Sequence, residues 1–223
     1  MLEVILDTET TGLSTTEKHK IVEIGCVELN NQIPTNKTFH TYLNPQRAVS
    51  EDAFKIHGYS DQFLADKKIF AEVADEFINF IKGKKLIIHN APFDLSFLDY
   101  ELRLINKKTI DHKNVIDTLE LARAKYPGAQ NSLDALCRRF KIDNSKREKH
   151  TALLDCELLT KVYINLIDQK EPTLNFFSNS QKSNDKQPNQ RINYYKKIIE
   201  PSSEELKLNK EFLKSHLKKN FFS

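Results

Sequence analysis

Residues 1–8 alternate apolar with polar positions and carry an unbroken apolar run, Val4-Ile5-Leu6, the pattern of a buried strand. Residues 21–29 and 37–43 read as the next two strands, and Asn30-Asn31-Gln32 supplies a turn between them. Three strands in succession predict an antiparallel start to a sheet. After Pro45 the period changes. Phe70, Val73, Ala74, Phe77, Ile78 and Ile81 recur at helical spacing, which predicts an amphipathic helix over 70–81 closed by Gly83. Leu86-Ile87-Ile88 is a short buried strand, and from about Ala91 a helix carries Phe93, Phe97, Tyr100 and Leu104 on one stripe. Val115-Ile116 suggests one more strand, and helices follow at 118–125, 132–140 and 151–167. Strands first, then strands alternating with helices, predict an α/β chain with a mixed sheet flanked by helices.

Beyond this body the pattern thins. Residues 178–190 contain Ser, Asn, Gln, Lys, Asp and Pro but no apolar residue, and read as a linker. Ser202 and Glu205 make a capping-box pattern after Pro201, opening a short helix to about 219. Two apolar islands interrupt the tail: Glu171-Pro172-Thr173-Leu174-Asn175-Phe176-Phe177, and residues 192–222 with Tyr194, Ile198, Leu206, Phe212 and Leu217. The second is too apolar for a solvated tail and predicts a segment that folds on a partner. The expected organisation is a body at 1–168, a linker at 169–190 and a docking tail with a short helix at 191–223.

No apolar run exceeds three residues, so a membrane-spanning helix of about 20 is not expected, and the N-terminus has no signal-peptide pattern. Cys26, Cys137 and Cys156 lack metal-site spacing and are expected to be buried thiols in a reducing, cytoplasmic setting. Residues 169–223 hold 11 basic and 6 acidic residues; taken from the chain's 34 and 31, that leaves a body of 23 and 25. A slightly acidic body does not bind a polyanion by charge alone. Bound cations would offset its carboxylates.

The candidate chemistry lies in three places. In Asp7-Thr8-Glu9, positions two apart on a strand share a face about 6.6 Å apart, so two carboxylates stand side by side and repel unless a cation bridges them. Alternatively they mark the strand's exit into solvent. In His89-Asn90-Ala91-Pro92-Phe93-Asp94, Asn90 suits an N-cap and Pro92 a first helical turn, placing Asp94 at a helix start, where a carboxylate is also ordinary dipole chemistry. His150 and Asp155 would lie about 140° apart on a helix, which excludes a shared face. His150 is then expected on the preceding loop, free to swing over a site that Asp155 helps to build; the bland alternative is a solvated histidine in the charged loop Lys146-Arg147-Glu148-Lys149.

Together, Asp7-Thr8-Glu9-Thr10-Thr11-Gly12, His89–Asp94 and His150…Asp155 resemble, in order and spacing, the three motifs of the DEDDh family of 3′–5′ exonucleases. The likeness covers 1–168. Ile56-His57-Gly58, residues 70–77 and residues 131–137 are similar to its bacterial proofreading (DnaQ-type) branch. The resemblance implies a ribonuclease H-like fold and two divalent cations, Mg²⁺ or Mn²⁺, held by Asp7, Glu9, Asp94 and Asp155, with His150 as general base. It implies substrate contacts from Asp7, Glu9, Asp155, Asp52 and His57, with Asp52 standing where the family has glutamate, and apolar contacts from Leu13 and Phe93. The implied partners are the 3′ end of single-stranded or frayed primer DNA, the catalytic subunit of bacterial DNA polymerase III through the tail, a small accessory subunit, and the sliding clamp through residues 171–177. In that peptide Glu171 replaces the usual Gln, and Leu174 and Phe176 could instead pack on the body. A free-standing enzyme that trims RNA ends, or a fold kept only as a brace, would share much of this sequence.

Overall fold

The computed structural model describes residues 1–145, 147, 149–167 and 201–216. The chain divides into two units, Met1–Asn175 and Phe176–Ser223. At the centre of the first lies β1 (Leu2–Thr10), whose residues Val4, Ile5 and Leu6 are fully buried. It pairs antiparallel with β2 (Ile21–Asn30), which pairs antiparallel with β3 (Ile33–Tyr42). On its other edge β1 runs parallel to β4 (Lys85–Ile88), and β4 to β5 (Val115–Asp117), giving the order β3-β2-β1-β4-β5. This is the expected mixed sheet with three antiparallel leading strands.

Both faces of the sheet are covered, and the alternation of β1 assigns its residues between them. Val4 and Leu6 face a core with α3 (Phe70–Ile81) and α4 (Ala91–Leu104), built on Phe77, Phe97 and Leu98. Ile5 faces a second core, in which Leu136 of α6 (Leu133–Phe140) meets Leu159 and Val162 of α7 (Ala152–Leu166). A further helix on that side, α5 (Thr118–Lys125), contributes Ala122. The three cysteines are free and buried.

The elements depart from the sequence reading in four places. β1 continues to Thr10 and β3 begins at Ile33, so both strands are longer than expected. Asn31 and Gln32 take positive φ (49° and 67°), which closes the β2–β3 hairpin in two residues. Two helices were not expected at all: α1 (Glu51–His57) and α2 (Asp61–Leu64), capped by the side chains of Ser50 and Ser60. They bury little, so they print no apolar stripe.

Among its described residues the second unit shows one helix, α8 (Ser203–His216), opened by the expected capping box: Glu205 Oε2 accepts from the Ser202 N–H at 2.8 Å, and Ser202 Oγ from the Glu205 N–H at 3.2 Å. It exposes Leu206, Leu208 and Phe212. The linker, the 171–177 peptide, the tail before 201 and residues 217–219 lie outside the described residues. No described helix is long and apolar enough to cross a membrane.

Candidate active site

By the alternation of β1, Asp7 and Glu9 share the face of Ile5 and look towards α7, while Thr8 shares the opposite face with Leu6 and looks towards α4. A register shift between Glu9 and Thr10 bulges the strand just past these residues. The following turn depends on Gly12: a Cβ there would stand 2.3 Å from the ring of His19.

Asp94 sits in the first turn of α4 and is buried. Its Oδ1 accepts from the Thr8 N–H at 3.0 Å and from the Thr8 hydroxyl at 2.7 Å, so the middle residue of the first motif fastens the second to it. Asn90 occupies the N-cap position but not as expected. It adopts the left-handed conformation (φ 67°) with no side-chain cap bond, and its own N–H donates to Asp117 Oδ1 at 3.0 Å. The chain therefore turns sharply from β4 into α4, with Asp117 holding the turn.

His150 precedes α7 by two residues, and Asp155 lies in that helix's first turn. Ligand atoms of Glu9, His150 and Asp155 all lie within 4.8 Å of one another. Asp7 and Asp94 line the same cleft, of about 980 Å³, without belonging to this tightest group. Burial is the main reason that the carboxyls of Glu9 and Asp94 are pushed up, to about 8 and about 7. Asp155, Glu23 and Asp94 add to the shift of Glu9, whereas hydrogen bonds from Thr8 hold Asp94 back. Asp7 is pushed well above the carboxylate range by burial, then by Asp94, Glu9 and Asp155. Such a cluster of oxygen donors, each penalising the others' charge, fits a hard divalent cation.

Two residues of this neighbourhood were not singled out by sequence reasoning. Arg147 is not solvated: its side chain is 6% exposed, and it donates to both oxygens of Asp155, to Asp134 and to His150 Nδ1. Glu23 on β2 is fully buried and accepts from the Ala152 N–H at 2.9 Å and the Tyr59 hydroxyl at 2.8 Å, with His40 Nε2 at 2.7 Å. It thereby pins the first turn of α7 to the sheet. A carboxylate inside the apolar run Ile21-Val22-Glu23-Ile24 was its only signal.

The remaining expected contacts are spread around the cleft. Asp52 on α1 is 91% exposed and pairs with Lys55 at 3.3 Å. His57 is buried with both ring nitrogens engaged, Nε2 with the Thr10 carbonyl at 3.2 Å and Nδ1 accepting from the Tyr59 N–H at 3.0 Å. Leu13, 80% exposed, and the half-buried Phe93 stand on the lining.

The exonuclease family RNase_T matches residues 4–163. The chain belongs to this exonuclease family. It is 47% identical over 222 residues to the DNA polymerase III subunit epsilon of Rickettsia felis, covering 97% of both chains. To the same-named protein of Escherichia coli it is 52% identical over 169 residues, 73% of this chain and 70% of that one. Among solved structures it resembles exonuclease X in complex with 5′ overhanging duplex DNA (27% identity, TM-score 0.59, 75% and 92% of the two chains). The nuclease domain of 3′hExo, a DEDDh family member bound to rAMP, shares the fold at 20% identity and TM-score 0.66, over 76% and 92%. The fold is thus ribonuclease H-like, and this exonuclease is a 3′–5′ enzyme of the proofreading type whose chemistry depends on divalent metal.

Proposed function

We propose that this exonuclease removes mismatched 3′-terminal nucleotides from primer DNA at a bacterial replication fork in the cytoplasm, using two cations, Mg²⁺ or Mn²⁺, held by Asp7, Glu9, Asp94 and Asp155. The observation that carries the reading is the approach of Glu9, His150 and Asp155 to within 4.8 Å beside Asp7 and the Thr8-anchored Asp94. When bound, the cations supply Lewis acidity to the attacking water and to the leaving 3′ oxygen. Asp7 and Glu9 are presented by a central strand paired on both edges, so their spacing is fixed before any cation arrives. Thr8 holds Asp94 at the rim of that pair. His150 sits on a loop held against α1, its N–H donating to the Ile56 carbonyl at 3.2 Å. Its imidazole is held below its ordinary pKa by burial and then by Arg147, so it is neutral at pH 7 and can take a proton from water. Leu13, Phe93, Asp52 and the face of His57 border the path of the terminal nucleotide.

Residues 169–223 serve as the tether and dock. Residues 191–223, including α8, bind the polymerase catalytic subunit, residues 171–177 contact the sliding clamp, and a small accessory subunit joins the assembly. The likeness to the DNA polymerase III subunit epsilon of Rickettsia felis over 97% of the chain supports the assembly.

The deciding experiment is hydrolysis of a 3′-mismatched primer by Asp7→Ala and Asp155→Ala. Both should be inactive with a folded circular dichroism spectrum. Substantial Mg²⁺-dependent turnover by either would remove the assignment, and preference for single-stranded RNA over mismatched DNA would redirect it to RNA trimming.

A further inference from the structure

A guanidinium stands where the proposed site needs a divalent ion. Arg147 Nε donates to Asp155 Oδ1 at 2.5 Å and Nη2 to Asp155 Oδ2 at 2.6 Å, a bidentate grip on the carboxylate of α7. The same Nη2 lies 2.9 Å from His150 Nδ1, and Nη1 lies 3.0 Å from Asp134 Oδ1. Nη2 therefore fills the gap between Asp155 and His150, two of the three residues whose ligand atoms converge. Asp155 is 4% exposed on its side chain, so its charge is neutralised by this arginine rather than by water.

Resting on the reading of these residues as a metal site, we infer that Arg147 is a resident counter-cation: it positions Asp155 and His150 before metal arrives, and an incoming divalent ion must displace it. A metal ion bound to both Asp155 and His150 would need the space that Nη2 already takes, 2.6 Å from Asp155 Oδ2 and 2.9 Å from His150 Nδ1. Asp134 gives the displaced side chain a place to go. It is 43% exposed and already bonded through Nη1, so the guanidinium can let go of Asp155 and remain anchored at the cleft wall. The exchange also answers the cost of an unpaired carboxylate on a buried helix turn, because Asp155 is never without a cation.

The test is a Mn²⁺ titration of the full-length, EDTA-stripped protein in the absence of nucleotide, by calorimetry, comparing wild type with Arg147→Gln. Loss of the competitor should tighten Mn²⁺ binding at least tenfold (about 1.4 kcal/mol). The metal-free variant should also melt lower than wild type, and saturating Mn²⁺ should close the gap. Unchanged or weaker Mn²⁺ binding overturns the inference, because a merely structural arginine supports the ligands and its loss cannot improve them. Should the variant fail to fold, wild type decides. In protein labelled with ¹⁵N-arginine, the Arg147 Nε–H should exchange slowly with water without metal and rapidly after Mg²⁺ is added. Protection that persists in Mg²⁺ overturns the inference. Asp155→Asn separates the two levels of argument: if it binds Mn²⁺ as tightly as wild type, the metal-site reading itself fails, whatever Arg147 does.

Discussion

Stripping the metal should make the fold less stable as pH rises, the reverse of the usual behaviour of surface-paired carboxylates. Asp94 and Glu9 titrate in the folded protein near 7 and 8, against ordinary values of 3.8 and 4.5, and Asp7 is raised as well. Between the two sets of values the folded chain holds protons that the unfolded chain has released, so unfolding becomes easier with each step up in pH. Each retained proton is worth about 1.4 kcal/mol per pH unit. One proton kept across the cluster from about pH 5 to about pH 7 therefore costs roughly 3 kcal/mol, a large share of a typical stability of about 5–15 kcal/mol. Urea unfolding followed by circular dichroism in EDTA measures this directly. Saturating Mg²⁺ should restore about 2.7 kcal/mol when present at about a hundredfold over its dissociation constant, and should flatten the pH dependence. Asp94→Asn should remove part of the slope. A metal-free stability that is flat or rises from about pH 5 to 7, or an Asp94→Asn slope equal to wild type, would refute the electrostatic account.

The other predictions concern the base, the helix seat and the tail. His150→Ala should lower kcat by about 10²–10⁴ with Mn²⁺ affinity nearly kept, and the acid limb of wild-type kcat should lie below pH 6.5; a loss confined to Mn²⁺ affinity would make His150 a ligand. Gly25→Ala places a Cβ 2.5 Å from the Ala152 carbonyl carbon, so the first turn of α7 must lift, costing about 1–3 kcal/mol in a thermal melt and weakening Mn²⁺ binding; a wild-type melt would show that the turn yields freely. A chain ending at residue 168 should keep hydrolysis of single-stranded ends and lose polymerase binding, and co-elution of that body with the polymerase would end the docking assignment. Leu174→Ala with Phe176→Ala should weaken only the clamp contact, measured by surface binding to the clamp.

What the sequence disclosed depended on how much each element buries. β1, β2 and β4 stood out because both of their faces are covered, and α3 because one face is. α1 lacked a stripe: it buries only Ala53 and His57 and leaves Phe54 and Ile56 exposed, although Ser50 before it and Gly58 after it were cap signals open to reading. At the site, the five motif residues were legible by type and spacing. Arg147 was not, because one arginine among Lys146, Glu148 and Lys149 looks like any solvated loop until Asp134 and Asp155 are known to surround it. Glu23 was hidden for the same reason, since its partners lie 17, 36 and 129 residues away.

Those separations shape how this nuclease can fail. The bond from Thr8 to Asp94 spans 86 residues, that from Ala152 to Glu23 spans 129, and the Cys156 thiol donates to the Gly25 carbonyl at 3.2 Å across 131. No fragment that stops short of α7 owns enough of the site to cut. A ribosome must release almost the entire body before α7 can settle on β2, so a nascent or broken chain is chemically silent beside the genome it serves. Detaching the first turn of α7 removes Asp155, and with it the bidentate partner of Arg147, in one movement. Damage to the fold switches hydrolysis off rather than leaving it loose and indiscriminate, a fail-safe written into chain order and not into any single residue.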